Sequence, residues 1–196
     1  MTRHEASLSP DYFESMFRDT ADPWDLESSP YEQAKYDHSI AALDARSYAL
    51  ALEVGCAKGV LTRRLAPHCG AILAIDVSAT ALEAARSRCA EWDHLSFGQM
   101  TFPAQAPLGG AFDLIFLSEV VYYWDDADIT RAAHWIANHL APGGDIMLVH
   151  WTGETDYPQS GDGAVSKLMD GLGGVVSVEK AERCPNYRLD LWRKPS

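Results

Sequence analysis

The chain has 196 residues, 47% of them hydrophobic, and a formal net charge of -12. That is enough apolar material for one substantial core, and no apolar run approaches the ~20 residues that span a bilayer. The acidic balance offers no basic stripe for a nucleic acid; it suits a cationic or amine substrate, or solubility alone.

Met1 to Pro10 has no apolar signal core, so no secretory leader is read and a cytoplasmic location is expected. Tyr12, Phe13, Met16 and Phe17 mark a short helix in a polar stretch, and Asp22-Pro23-Trp24-Asp25 marks a turn. Pro30 is a favourable helix start, and Tyr31 to Leu52 reads as a helix running into the first strand. Ala51-Leu52-Glu53-Val54 then enters the turn Gly55-Cys56-Ala57-Lys58-Gly59, which opens a helix over Val60 to Leu65. A second apolar run, Ala71 to Ile75, ends on Asp76. Ser78 is positioned to cap a helix over Ala79 to Ala90, followed by a weak strand at Leu95-Ser96-Phe97 and a loop from Phe102 to Gly110.

Phe112 to Glu119 reads as a fourth strand, and Ile129, Ala132, Ala133, Ile136, Ala137 and Leu140 recur at helical spacing. Ala141-Pro142-Gly143-Gly144 stops that helix before a strand at Asp145 to His150. A glycine-rich stretch over residues 152–174 holds a helix at Ala164 to Leu172. Val175 to Lys180 and Tyr187 to Trp192 alternate in period two, as a closing antiparallel pair. Cys56, Cys69, Cys89 and Cys184 form no C-x-x-C pair and no zinc spacing, so they read as reduced thiols and no metal is expected.

Strand, glycine turn, helix, and a second strand ending on a carboxylate form a nucleotide-binding unit. Gly55 and Gly59 allow a tight turn and close backbone approach. Asp76 is placed to accept both hydrogen bonds of a ribose diol. Glu53, just before the turn, suits a cationic ligand better than a pyrophosphate. An ordinary strand-to-helix turn with a strand-end acid is the plain alternative.

The Glu-x-Gly-Cys-x-x-Gly form resembles motif I of the class I S-adenosylmethionine methyltransferases. The resemblance narrows through Asp22-Pro23-Trp24, Tyr31-Glu32-Gln33, Leu52 to Ala57, Leu65-Ala66-Pro67-His68-Cys69 and Ser118 to Tyr123, which together look like the nodulation protein S family over roughly residues 20–150. It implies an α/β Rossmann-like fold: a seven-stranded, mostly parallel sheet with helices on both faces and a C-terminal antiparallel strand. Residues 1–196 would then form one methyltransferase domain, with residues 1–48 a helical cap over the cofactor and 49–196 the core. It implies S-adenosylmethionine as cofactor, S-adenosylhomocysteine as product, and a small-molecule acceptor. That acceptor is an amine nitrogen, as in an amino sugar or deacetylated chitooligosaccharide; a hydroxyl acceptor or a non-catalytic cofactor-binding module are the alternatives. A monomer or weak dimer is expected.

The family's roles map onto single positions. Glu53, Gly55, Cys56 and Gly59 match the turn around the methionine moiety, Asp76 the ribose acid, and Val77 the adenine wall. The usual adenine-binding aspartate is replaced by Thr101, leaving its hydroxyl and the Phe102 N–H to meet the ring. Trp24, Tyr31 and Lys35 lie in the segment that closes over the cofactor, and Ser118 ends the fourth strand beside the expected methyl group. Glu119 is either the group that orients an ammonium and takes its proton, or a cofactor-proximal carboxylate. Tyr122, Tyr123 and Trp124 either face a sugar or a sulfonium, or pack the sheet edge. His150 is a second base candidate or a structural histidine.

Overall fold

A computed structural model describes residues 3–196 and divides them into two compact units, residues 9–100 and residues 3–8 with 101–196. The strand order is β3 (Leu95–Gln99), β2 (Ile72–Asp76), β1 (Ala51–Val54), β4 (Phe112–Ser118), β5 (Leu140–Trp151), β7 (Tyr187–Arg193) and β6 (Ser177–Arg183).

The first unit runs α1 (Pro10–Asp19), α2 (Pro30–Ala41), β1 (Ala51–Val54), α3 (Val60–Leu65), β2 (Ile72–Asp76), α4 (Ala79–Arg88) and β3 (Leu95–Gln99). β1 and β2 pair in parallel, as do β2 and β3, with Glu53 opposite Ala74 and Asp76 opposite Gln99. All four residues of β1 are buried, the pattern of a parallel strand covered on both faces. Ser29 and Ser78 cap α2 and α4, accepting from Glu32 N and Ala81 N and so satisfying donors that a helix start leaves unpaired.

The helix expected over residues 31–52 ends at Ala41 instead. Asp44 and Ala45 adopt left-handed φ values of 53° and 55°, and Tyr48 then bridges Cys69 in parallel at the sheet. No glycine or proline marks this stop, because sheet pairing overrides a run of good helix formers.

The second unit contains β4 (Phe112–Ser118), α5 (Asp126–His139), β5 (Leu140–Trp151), α6 (Gly161–Leu172), β6 (Ser177–Arg183) and β7 (Tyr187–Arg193). β4 and β5 are parallel, and β7 is antiparallel to both β5 and β6. Leu114 to Leu117 and Ile146 to Val149 are fully buried. Residues 140–144, expected to end a helix and form a stop, instead begin β5. Leu140 pairs with Phe112, and the register shifts before Leu114 pairs with Asp145. Gly143, at φ 72°, supplies the left-handed step inside that irregularity. No helix among the described residues is long and apolar enough to cross a membrane.

Candidate active site

In the first unit, β1 delivers Glu53 into a turn with φ values of 75° at Gly55, 46° at Ala57 and 75° at Gly59. Gly55 N and Cys56 N donate to Ile75 O at 2.8 and 3.0 Å, pinning the turn to the end of β2. A Cβ on Gly59 would lie 3.1 Å from the Ala85 backbone, so this glycine also lets α4 pack close.

Asp76 ties the turn together. Its Oδ2 accepts from Ala57 N at 2.8 Å and its Oδ1 from Ser78 N at 2.9 Å. Each carboxylate oxygen has a second lone pair to offer a ligand hydroxyl. Burial raises the Asp76 pKa, against backbone hydrogen bonds from Ser78, Ala57 and Val77 that lower it. Val77 follows, its carbonyl accepting from Gln99 Nε2 at 3.1 Å.

Glu53 is 2% exposed, and its Oε2 has no hydrogen-bond partner. Burial pushes its pKa up to about 7; Thr62 works the other way and the Asp76 charge adds to the rise. A buried carboxylate oxygen without a donor is costly, so a ligand that brings an ammonium or N–H there gains the unmade bond. Burial also pushes the Cys56 thiol up, keeping it protonated rather than nucleophilic.

Glu14 in α1 is a residue that sequence reasoning missed. It accepts from Ser78 Oγ at 2.6 Å, Thr80 Oγ1 at 2.7 Å and Thr80 N at 3.3 Å, at the N-terminus of α4. The Ser78 and Thr80 hydroxyls pull its pKa down to about 2. Along α1 it also pairs with Arg18 at 2.9 Å. Glu27 pairs with Lys58 of the turn and with Arg88, the latter at 2.7 Å. Trp24 meets Phe17 edge-on at 5.4 Å. Lys35 is 3% exposed, 3.0 Å from Glu32 Oε1, and lies over the Tyr31 ring at 5.3 Å.

The second unit gathers its own cluster. Ser118 pairs with Val149 at the end of β4. Glu119 follows in a left-handed conformation, φ 57°, which a side chain adopts only when its surroundings hold it there. Its Oε2 accepts from Tyr122 Oη at 2.6 Å and from Trp151 N at 2.8 Å. Tyr122 stacks on Tyr157 at 5.3 Å and meets Tyr123 and His150 edge-on at 4.6 and 5.4 Å. His150 is fully buried, and its Nε2 accepts from Val121 N at 3.2 Å, an arrangement that assigns its proton to Nδ1. Tyr157 was missed too: it lies in the glycine-rich stretch over residues 152–174, ahead of the helix expected there, and no local pattern marks it.

Thr101 N donates to Gln105 Oε1 at 3.1 Å. Phe102 is buried, 5.5 Å from Trp124 and 5.2 Å from Trp135. Trp124 therefore packs with Phe102, while Tyr122 and Tyr123 cluster with Tyr157.

A family model for nodulation protein S (NodS) matches residues 13–151. The chain belongs to the nodulation protein S family. A nodulation protein S from Sinorhizobium fredii is 36% identical over 65% of this chain and 59% of that protein. The chain spans less than two thirds of the length of the curated family members it matches. Its structure resembles the crystal structure of the N-methyltransferase NodS from Bradyrhizobium japonicum WM9 in complex with S-adenosyl-L-homocysteine. The TM-score is 0.84 and the identity 27%, over 94% of this chain and 98% of that one. A putative methyltransferase from Pseudomonas syringae is 31% identical, with a TM-score of 0.71, over 84% of this chain and 99% of that one. These likenesses fix the fold as that of the class I methyltransferases: a seven-stranded sheet closed by antiparallel C-terminal strands. Tyr157 lies beyond the residues that the family model matches.

Proposed function

We propose that this protein is an S-adenosylmethionine-dependent N-methyltransferase acting on a small-molecule amine, such as an amino sugar or a deacetylated chitooligosaccharide. The buried Glu53 Oε2 without a donor, beside a turn that Asp76 holds through the Ala57 N–H, carries this reading. A cofactor with an ammonium at one end and a ribose diol at the other fits that pair. Glu53, Gly55, Cys56 and Gly59 would hold its amino-acid end, Asp76 its ribose, and Val77, Thr101 and Phe102 its adenine. Bound there, S-adenosylmethionine supplies an electrophilic methyl group and leaves as S-adenosylhomocysteine. Helices α1 and α2 act as the cap, with Trp24, Tyr31 and Lys35; the ties from Glu14 to Ser78 and from Glu27 to Lys58 support this.

Glu119 is our acceptor carboxylate. It orients a protonated amine and takes its proton, which frees the nitrogen lone pair for attack. Ser118 lies beside it in the chain, and Tyr122 holds its Oε2. His150 anchors the Val121 backbone, because its Nε2 lone pair is already committed there. Most of the acceleration comes from position and exclusion of water, since a sulfonium is already a good leaving group. We place the protein in the cytoplasm, where buried thiols such as Cys56 stay reduced, as a monomer or weak dimer.

Calorimetry with S-adenosylmethionine and S-adenosylhomocysteine, followed by turnover on deacetylated chitooligosaccharides and a panel of amines and alcohols, tests the proposal. We expect both cofactor forms to bind and an amine to be methylated. Methylation of alcohols alone would make this an O-methyltransferase, and binding without turnover across a broad panel would make it a cofactor-binding module.

A further inference from the structure

The cluster around Glu119 depends on one ring from outside the family match. Tyr122 places its hydroxyl on Glu119, and its ring is held on several sides. His150 and Tyr123 meet it edge-on, with interplanar angles of 80° and 88°. Tyr157 instead covers its face, stacked at 20°, and also touches Tyr123 edge-on at 4.7 Å. A ring stacked along the Tyr122 face opposes tilting of that ring out of its plane.

Tyr157 itself is fixed by main-chain bonds on both sides. Arg3 Nη1 donates to Tyr157 O at 2.9 Å, and His4 N donates to Asp156 O at 2.8 Å. Two residues on, Gln159 N donates to Tyr122 O at 3.1 Å, joining the loop to the cluster's own backbone. Leu8 N donates to Tyr123 O at 3.0 Å, so residues 3–8 brace the loop and the tyrosines together.

We propose that Tyr157 is a positioning residue: its ring holds Tyr122 so that the Tyr122 hydroxyl stays on the Glu119 carboxylate. The proposal rests on the reading of Glu119 as the acceptor carboxylate. Without Tyr157, Tyr122 tilts, and Glu119 Oε2 loses the Tyr122 hydroxyl. The stacked ring does most of this, while the Tyr157 hydroxyl also shares a side-chain hydrogen bond with Tyr123, so phenylalanine should serve in large part.

A double-mutant cycle with deacetylated chitooligosaccharide as acceptor, together with a crystal structure of Tyr157→Ala, tests this. Tyr157→Ala is expected to lower kcat/KM for the acceptor about tenfold with cofactor affinity unchanged, and Tyr157→Phe to restore most of it. In the Glu119→Gln background, Tyr157→Ala should cost nothing further. In the Tyr157→Ala crystal, which needs no acceptor, the Tyr122 hydroxyl should have left Glu119. Equal losses in both backgrounds, no rescue by Tyr157→Phe, or an intact Tyr122–Glu119 bond in the Tyr157→Ala crystal would each overturn the proposal. Unimpaired turnover by Glu119→Gln would overturn instead the role given to Glu119.

Discussion

Asp76 and Glu119 each sit at the carboxyl end of a parallel strand, yet they are held by different means. Asp76 takes its hydrogen bonds from the backbone N–H groups of Ala57 and Ser78, which the strand–turn–helix path itself delivers. Glu119 takes one from the Tyr122 side chain and one from Trp151 N on the neighbouring strand. Its geometry also relies on Tyr157, held by residues 3 and 4. A site built on backbone donors tolerates much variation in side chains. A site built on packed rings changes whenever one ring changes, so specificity can evolve in the second without disturbing the first.

Four substitutions break or sharpen this contrast. Glu119→Gln should have the largest effect, lowering turnover by roughly 10²–10⁴-fold while leaving cofactor affinity intact. If calorimetry instead finds cofactor binding lost and saturated turnover preserved, Glu119 belongs with Asp76 as a cofactor residue. Asp76→Ala should do the converse, weakening S-adenosylmethionine binding by ~2–4 kcal/mol through hydrogen bonds to a charged group. Unchanged affinity would remove Asp76 from the ribose.

Glu53→Gln acts through pH. Burial raises this carboxyl from 4.5 to about 7, so the unfolded chain gives up the proton first. Stability should therefore fall as pH rises through that window, by up to ~3 kcal/mol from this group. Asp76, also raised by burial, adds a slope of the same sign. Thermal melts at about pH 5 and pH 8 should show the difference shrinking in Glu53→Gln. An unchanged difference would mean that Glu53 is already ionised. Glu14→Ala should give the smallest effect, ~1–2 kcal/mol in urea unfolding, from lost hydrogen bonds to Ser78 and Thr80. Its carboxyl is held down to about 2, so the wild-type advantage persists above the usual carboxylate range and fades on acidification towards that value. A mutant that lost the same stability at all pH values would show that the clamp owes nothing to charge.

The sheet, the glycine turn and the family were legible in the sequence. Alternating apolar runs, glycine spacing and a strand-end acid are local patterns, and local patterns survive in a one-dimensional string. The sequence also put Glu53, Asp76 and Glu119 at or beside the carboxyl ends of parallel strands, where such a sheet presents its ligands. Tertiary structure alone decided where α2 stops, how residues 140–144 join the sheet, that Glu14 reaches Ser78 and Thr80, and that Tyr157 stacks on Tyr122. Each of these sets residues distant in sequence against one another or pits local propensity against sheet pairing. Contacts of that kind leave no periodic trace along the chain, since their partners become neighbours only when the core closes.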